Sequence, residues 1–322
     1  MTSRNAWGVG LATVTSSGKT LDVWFPNPRL GEEDPELMRQ DLERLAPLEK
    51  ADKARGVHAS IVRTNSDLDL GPESTAGAYL RLHVLSHRLA QPNTVNLEGL
   101  FDRLPNVVWT NLGPCDVEDF EETRLRIREL NSQPVTVRSV DRIPRMLDYV
   151  CPTGIWVANA DQVRLGAHLA PGTNVGHAGF VNYNAGSLGH STIEGRLSQG
   201  VVIDDGTDIG GGASTAGTLS GHRDIHVRMG KNCLLGPNAG LGIALGDNCV
   251  VEPGLYLTVG TRVSLMPSGG VMPGPLGVFS EPRVVEARDL SGVDNILFRR
   301  NSQSGRVEAV ARVGQTIELG TE

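Results

Sequence analysis

Aliphatic side chains recur at every sixth position through the second half of the chain. The pattern extends from Val163 to Val263, with Gly, Asn or Asp among the intervening residues. Four runs carry it: Val163, Leu169, Val175 and Val181, continuing through Ser187 to Ile193; Leu197, Ile203 and Ile209; Met229, Leu235 and Leu241; and Leu245, Val251, Leu257 and Val263. This period is that of a hexapeptide repeat, which predicts a parallel β-helix.

Each hexapeptide is expected to form one short strand and one corner. Segments such as LAPGTN, IDDGTD and LGDNCV place Gly, Asn and Asp where the chain must turn, and these residues tolerate a positive φ. Three hexapeptides then close a triangular coil of about eighteen residues, and coils stack at the strand spacing of about 4.8 Å. About five coils would give a prism roughly 25 Å tall with an aliphatic interior.

The residues before the repeat predict an α+β domain over 1–153. A hairpin is expected from Val9–Val14 to Leu21–Phe25, with its turn at 16–19. Helical spacing of apolar residues follows in three segments, Met38–Leu45, Tyr79–Leu89 and Val117–Leu130. A strand at Val135–Val140 then leads towards a β-helix domain over 154–264.

The residues after the repeat, 265–322, predict a loop and a cap. The segment 265–283 contains four Pro and four Gly residues, which exclude a regular strand or helix, so we expect a mobile surface loop. Strand-like residues 284–313 turn at 302–305. They are expected to form a hairpin that covers one end of the stack, because open stacks expose unpaired strand edges.

Charge and composition narrow the class of protein. A net charge of −7 disfavours nucleic acid and anionic lipid as partners. The sequence has no run of eighteen apolar residues and no secretory signal pattern, so we expect a cytoplasmic protein that does not enter membranes. The four cysteines, which are far apart in sequence, are expected to be reduced, buried thiols: Cys115, Cys151, Cys233 and Cys249.

Three departures from the period are where function is most easily placed. They are the steps from Ile193 to Leu197, from Ile209 to Met229 and from Leu241 to Leu245. The first and third steps are only four residues long. The second is two residues longer than a full coil, so we expect 215–224 to leave the prism as a loop.

Glu194 lies in the first short step. A carboxylate beside a change of register can be held near the prism wall and partly desolvated, which suits a base or a nucleophile. A solvated Glu194 paired with Arg196 explains the same spacing, and this alternative stays open. The glycine-rich corners 210–212 and 240–242 would let a ligand approach the backbone, or are ordinary corners.

Histidines and a pair of arginines are further candidates. Four histidines are assigned to the repeat region: His177, His190, His222 and His226. No two have metal-ligand spacing on one element, so most are expected to be structural or solvated. Arg299 and Arg300, which precede Asn301 and Ser302, would bind the phosphates of a cofactor, or lie solvated on an exposed hairpin.

Several longer stretches of sequence are more specific for one protein family than the hexapeptide repeat is. They are GFVNYNAGSLG (179–189), EGRLSQGVVIDDGTDIGGGAS (194–214), CLLGPNAGLGIALGDNCVVEPGLY (233–256) and LFRRNSQSG (297–305), with RLHVLSHRL (81–89) and VVWTNLGPC (107–115) nearer the N-terminus. These strings resemble the tetrahydrodipicolinate N-succinyltransferase family, in its longer, actinobacterial-like form. The resemblance covers most of the chain.

The resemblance implies a left-handed parallel β-helix and a homotrimer with active sites between neighbouring subunits. It also implies succinyl transfer from succinyl-CoA to the amino group of tetrahydrodipicolinate, in its ring-opened 2-amino-6-oxopimelate form, on the diaminopimelate and lysine pathway. The partners would be small-molecule substrates and other copies of the chain.

The resemblance assigns roles to individual residues. The glutamate of the EGR motif, Glu194, would be the acyl-accepting residue. Residues that would line the succinyl-CoA site are Arg196, Gly211, Ser214, Glu252 and Gly260, with Arg299, Arg300, Asn301 and Ser302 in its distal part.

Three features depart from the family pattern. The family places a glutamate before GFVNYNAG and an aspartate upstream as ligands of a magnesium ion on the trimer axis; here Asp161 remains, but Ala178 replaces the glutamate. At the position where the family has a lysine near the cofactor, this chain has Glu286. The substitution removes one cation that would contact a phosphate of the cofactor. The loop 265–283 is also longer, so the entrance for the cofactor is expected to differ.

The residues leave the mechanism and three rival functions open. Glu194 would act either as a nucleophile or as a base. One rival is another hexapeptide CoA-dependent acyltransferase, with a sugar or a different amino acid as acceptor and a histidine base. The others are a zinc hydratase of the γ-carbonic anhydrase kind, with three histidines meeting between subunits, and a non-catalytic scaffold.

Overall fold

The computed structural model describes residues 4–131, 134–218, 225–266 and 283–312. The chain forms two units: the first runs to Cys151 and includes Arg164–Gly166, and the second comprises Pro152–Val163 and the residues from Ala167 onwards. The first unit mixes helices and strands, whereas short strands dominate the second. The predicted mainly β character is confirmed. Among the described residues, no helix is both long and apolar enough to span a membrane.

The first unit contains two antiparallel sheets. The central strand of the larger sheet, Asn5–Thr15, pairs along its whole length with Val57–Asp67 and on its other edge with Thr20–Trp24, which confirms the predicted hairpin. The remaining strands of that sheet are Arg29–Leu30 and Ala51–Asp52, and the smaller sheet consists of Val107–Thr110, Gly113–Asp116 and Val137–Asp141. The last of these is the predicted strand, shifted by two residues at its start.

Four α-helices belong to this unit in the described part of the chain: Pro35–Leu45, Thr75–Ser86, Leu100–Arg103 and Phe120–Asn131, with 3-10 helices at Ala46–Leu48 and Met146–Asp148. Asp34 caps the first helix by accepting the N–H groups of Glu36 and Leu37, and Ser74 caps the second. Residues 77–86 of the second helix are all buried, so it forms the centre of the unit. The three predicted helical segments are confirmed.

The buried helix carries a histidine that is held neutral. Nδ1 of His83 donates to the carbonyl of Tyr79 (2.8 Å), and Nε2 accepts the N–H group of Phe25 (3.3 Å). Both bonds can form only when the ring has a single proton. Burial lowers the pKa of His83 to about 3.

The second unit winds the chain into a coil with three faces, each of which is a parallel sheet. Face 1 consists of Trp156–Val157, Thr173–Val175, Ser191–Ile193, Thr207–Ile209, Leu234–Leu235 and Val250–Val251. Face 2 consists of Phe180–Val181, Arg196–Leu197, Ser214–Thr215, Gly240–Leu241 and Tyr256–Leu257. Face 3 consists of His168–Leu169, Gly186–Ser187, Val202–Ile203 and Arg228–Met229. The 3-10 helix Ala160–Gln162 lies in the first coil.

The aliphatic positions of the repeat point inward and stack directly on one another. On face 1, Val175, Ile193, Ile209, Leu235 and Val251 pair in turn, and none is more than 1% exposed. The chain takes 18, 16, 26 and 16 residues between these successive positions. The three irregular steps therefore change the lengths of corners and leave the stacking intact.

The long step begins later than predicted. Thr215 stays in the coil, where it is 2% exposed and pairs with Leu241, so the expectation that the chain leaves the prism at 215 is wrong. Its hydroxyl donates to the carbonyl of Arg196 and accepts the N–H group of Ser198, which lets a polar residue occupy an inward position. The rest of the predicted loop from 219 to 224, with His222, lies outside the described residues.

The cysteines are all free. Cys115, Cys233 and Cys249 are buried, as predicted. Cys151 is exposed, contrary to the prediction, because it lies in irregular chain between a 3-10 helix and the first strand of the coil.

The C-terminal part adds strands to face 1. Its elements are Arg262–Leu265, Arg283–Glu286, the 3-10 helix Ala287–Leu290, Ile296–Arg300 and Val307–Ala311. Ile296–Arg300 pairs in parallel with Val250–Val251 and then antiparallel with Val307–Ala311, which also pairs with Arg262–Leu265. The predicted turn at 302–305 is confirmed. Most of the proline- and glycine-rich segment, from 267 to 282, lies outside the described residues.

Acid should destabilise the protein through His83. Its pKa of about 3 in the folded chain lies below the value of about 6.5 in an unfolded chain, so the unfolded state binds the extra proton between those values. The contribution of His83 to the free energy of unfolding should therefore fall by roughly 1 kcal/mol per pH unit as the pH drops from about 6.5 towards 3. Urea unfolding of the wild type and of His83→Gln at several pH values isolates this contribution, and identical pH slopes in the two proteins would contradict it.

Candidate active site

The corner that joins face 1 to face 2, here called the first corner, is two residues shorter at Glu194 than in the adjacent coils. Four residues, 176–179, form it in the preceding coil, and four, 210–213, form it in the following coil. Only Glu194 and Gly195 form it between them. The two longer corners therefore extend beyond the short one and leave a notch with Glu194 at its floor.

Glycines on both sides keep this notch open. A Cβ atom on Gly176 would lie 3.1 Å from Cγ of Glu194, and one on Gly211 would lie 3.9 Å from its Oε2. Gly195 permits the short corner itself, since a Cβ atom there would come within 2.5 Å of the carbonyl oxygen of Ala213. The absence of side chains at these positions leaves the carboxylate accessible.

In a single chain, the surroundings of Glu194 match neither of the two sequence-based predictions, which were partial desolvation and an ion pair with Arg196. Glu194 is exposed, so the predicted partial desolvation is wrong for one chain alone, because no element in the described part of that chain covers the notch. The alternative ion pair is not formed either. Arg196 is exposed and its Nη2 donates to the hydroxyl of Ser198 (3.0 Å).

Two of the predicted cofactor residues lie in one outward row beside the notch. Parallel pairing places Phe180, Arg196, Ser214, Gly240 and Tyr256 in register across successive strands of face 2. Neighbours in such a row are about 4.8 Å apart. Arg196 and Ser214 are therefore adjacent, and both follow the first corner directly in their coils.

Glu252 lies in the same corner column as Glu194, three coils further on. Its carboxylate accepts the backbone N–H group of Arg300, which fastens Ile296–Arg300 to this corner. Gly211 lies between them, in the first corner of the coil that follows Glu194. The structure thus arranges Glu194, Gly211, Glu252 and Arg300 along one edge of the coil, with a span of about 14 Å between the two glutamates.

The two arginines of the predicted distal site differ in their partners. Nε of Arg299 forms an ion pair with the carboxylate of Glu308 (2.9 Å), whose side chain is 6% exposed. The guanidinium of Arg300 is exposed and contacts only the carbonyl of Gly305 (3.4 Å), with no carboxylate partner in the described chain. Of these two arginines, Arg300 is therefore the one whose guanidinium is not paired with a carboxylate in the described chain.

Asn301 and Ser302 continue from this strand into the turn. Asn301 donates to the carboxylate of Glu308 (2.8 Å), and its side-chain oxygen accepts the N–H groups of Gln303 and Ser304. Ser302 is exposed. Gly260 lies apart from the others, in the corner at the far end of face 2. It is exposed, and no atom of the described residues lies within 4 Å of an added Cβ.

At the two positions of the family's magnesium ligands, this chain has the carboxylate of Asp161 and the methyl group of Ala178. Asp161 lies in the first corner of the coil that precedes Ala178, since Val163 pairs with Val181. Both residues are exposed, and the methyl group of Ala178 offers no ligand atom. In the described ranges, no three His, Cys, Asp or Glu side chains are grouped as a metal site. These residues do not fit the ion.

The histidines have separate environments. His177 is exposed in the corner 176–179, on one wall of the notch. His190 is 82% exposed and contacts Asp205 (3.2 Å), while Nδ1 of His226 lies 3.2 Å from the carbonyl of Gly217. His168 also belongs to the coil and was missing from the sequence-based set; it is buried, with Nδ1 3.0 Å from the carbonyl of Ser187.

Glu286 has arginine neighbours where the family has a lysine. It lies opposite Arg262 in an antiparallel pair, and its carboxylate forms an ion pair with Nε of Arg288 (2.8 Å). It also caps the 3-10 helix that follows. Its contacts in this chain are therefore structural ones.

Comparisons with known proteins identify a family that is similar to this chain. The family model described as the middle part of tetrahydrodipicolinate N-succinyltransferase matches residues 104–145, and the one described as the hexapeptide repeat of succinyl-transferase matches 226–259. The chain is 41% identical over 346 aligned positions to the 2,3,4,5-tetrahydropyridine-2,6-dicarboxylate N-succinyltransferase of Vibrio cholerae, with 98% of each chain covered. It is 51% identical over 240 positions to the enzyme of the same name from Pseudomonas aeruginosa, which covers 74% of this chain and 67% of that one.

A solved structure is similar over nearly the whole chain. A Campylobacter jejuni protein, described as a 2,3,4,5-tetrahydropyridine-2-carboxylate N-succinyltransferase, superimposes with a TM-score of 0.82 at 26% identity, covering 96% of this chain and 92% of that one. The chain belongs to the tetrahydrodipicolinate N-succinyltransferase family.

Proposed function

We propose that this protein transfers the succinyl group of succinyl-CoA to the amino group of tetrahydrodipicolinate, in its ring-opened 2-amino-6-oxopimelate form. This is a step of the diaminopimelate and lysine pathway. The observation that carries the proposal is the notch, which presents the carboxylate of Glu194 between two glycine corners. Family membership sets aside the zinc hydratase, the scaffold and acyl transfer to a sugar.

The thioester of succinyl-CoA is already activated, so the protein must chiefly align the acceptor amine, remove its proton and stabilise the oxyanion. As a nucleophile, Glu194 would attack the thioester carbonyl and expel CoA as the thiolate. The resulting mixed anhydride would be opened by the amine, which regenerates the carboxylate. As a base, Glu194 would take the amine proton while the amine attacks the thioester directly. Both routes use the same carboxylate.

Backbone N–H groups beside the notch are suited to the oxyanion. Those of Gly211 and Gly212 have no hydrogen-bond partner in the described chain, whereas Gly210 and Ala213 on either side of them are paired. Successive free N–H groups in a turn form a concavity that binds anions. Their place in the corner directly after Glu194 in the stack supports this role.

We propose that succinyl-CoA lies along the first corner, with its thioester at Glu194 and its phosphates near Arg300. The pantetheine arm is comparable in length to about four residues of extended chain, roughly 14 Å. This matches the span of three coils between the two glutamates. Arg196 and Ser214 would line the thioester end, and Asn301 and Ser302 the phosphate end. Gly211 would permit close approach, and Gly260 would border the far side of face 2.

The exposure of Glu194 in one chain supports a site completed by another. Acyl transfer benefits from a site closed to water, and one chain leaves the notch open. We therefore propose a homotrimer with sites between neighbouring chains and, from family membership, a left-handed coil. The division into 1–153, 154–264 and 265–322, with the last part as a cap, is likewise a proposal. The cytoplasmic location stays a prediction.

Loss of the carboxylate should abolish turnover. Glu194→Gln keeps the size of the side chain but removes both the nucleophile and the base, so kcat should fall by about a thousandfold or more. The assay is thiol release from succinyl-CoA, and from acetyl-CoA for comparison, with tetrahydrodipicolinate as acceptor. Thr192→Ala, on the adjacent strand of face 1, is the matched control. A kcat of Glu194→Gln within tenfold of the wild type would place the chemistry elsewhere.

The two arginines should separate into a binding and a structural residue. Arg300→Gln should raise the KM for succinyl-CoA about tenfold, because a phosphate loses its cation, without changing the melting temperature. Arg299→Gln should lower the free energy of unfolding by about 1–2 kcal/mol, because it leaves the buried Glu308 carboxylate without a cation, while Arg299 itself is half exposed. Thermal unfolding and steady-state kinetics measure both effects. A raised KM for succinyl-CoA in Arg299→Gln, together with a lowered free energy of unfolding in Arg300→Gln, would contradict these two roles.

A further inference from the structure

The aromatic ring of Tyr256 lies directly on the backbone of Gly240. A Cβ atom on Gly240 would be 2.0 Å from both Cδ2 and Cε2 of Tyr256 and 2.5 Å from Cγ. Gly240 is buried although it occupies an outward position of face 2, whereas Tyr256 is 57% exposed. The ring therefore covers its neighbour on one side and presents its other side to solvent.

This arrangement keeps the ring of Tyr256 outside the core of the coil. The ring packs on a glycine instead of entering the core, and the phenol hydroxyl has no hydrogen-bond partner in the described residues. Any side chain at position 240 would push the ring off the face. The pair thus forms a flat aromatic shelf that requires both residues, sixteen positions apart in the sequence.

The shelf continues the row that borders the notch. Ser214 precedes Gly240 in register, and Arg196 precedes Ser214. Tyr256 also follows the corner of Glu252, which fastens Arg300 to the coil. The exposed side of the ring therefore lies between the end assigned to the thioester and the end assigned to the phosphates.

We propose that the shelf formed by Tyr256 and Gly240 is a positioning element for the acyl-CoA, holding the pantetheine arm against face 2 so that the thioester reaches Glu194. The arm alternates methylene groups with amides, and an aromatic face suits such a chain because it is large, rigid and apolar. This inference rests on the proposed function. It adds Tyr256, with Gly240, to the residues that determine the affinity for the donor.

Three variants test the shelf. Tyr256→Ala removes the ring, and Gly240→Ala displaces it, since the three nearest atoms to the new Cβ all belong to this ring, which can rotate away about its side-chain torsions. Each should raise the KM for succinyl-CoA about tenfold, the loss expected when much of an aromatic contact is removed, with kcat changed less than about threefold. Tyr256→Phe keeps the ring and should resemble the wild type. Leu234→Ala, an exposed apolar side chain on face 1, is the control and should also resemble it.

A truncated donor separates positioning from a structural role. With succinyl-N-acetylcysteamine, which keeps the thioester but lacks most of the arm, the wild type and Tyr256→Ala should have the same kcat/KM. An unchanged KM for succinyl-CoA in Tyr256→Ala would overturn the inference. A rise in this KM that is accompanied by a lower melting temperature or a changed oligomeric state would overturn it as well. Absence of turnover by the wild type with succinyl-CoA would instead refute the proposed function itself.

Discussion

Hydrogen bonding between stacked parallel strands is the constraint on which the rest of the coil depends. Each strand of a face pairs in register with the equivalent strand of the next coil, so Val175, Ile193 and Ile209 form a continuous inward ladder. A residue gained or lost within a strand would turn the inward side chains of that strand outward. Changes of length are therefore tolerated only at the corners.

The candidate site follows from this constraint. Removal of two residues from one corner leaves the faces intact and forms a notch, and glycines in the flanking corners keep it open around Glu194. Because neighbouring coils are in register, residues distant in the sequence fall into straight rows. Arg196 and Ser214 are adjacent in one row, while Glu252 and Arg300 meet at the end of another. The scaffold thus determines the spacing of groups along an extended substrate.

The period of six predicted the coil, its inward residues and its irregular steps, because apolar spacing is a local property of the sequence. It did not predict that Thr215 remains inside, since the hydroxyl is satisfied only by the backbone of the preceding coil. The different roles of Arg299 and Arg300 depend on which side of a hairpin meets Glu308. Prediction of the contact between Tyr256 and Gly240 would have required the length of every corner between these two residues. Such features follow from register, which a search for apolar periodicity does not reveal.

The most direct test of this account is to restore the missing length of the short corner. Insertion of His-Ala between Glu194 and Gly195 would copy the corner 176–179 of the preceding coil, and the thermal unfolding and succinyl-CoA turnover of the variant would then be measured. The account predicts a folded protein with nearly unchanged melting temperature whose kcat falls by about a hundredfold or more, because the notch is filled and the carboxylate is displaced. A folded variant with turnover close to that of the wild type would contradict the claim that the short corner forms the active site.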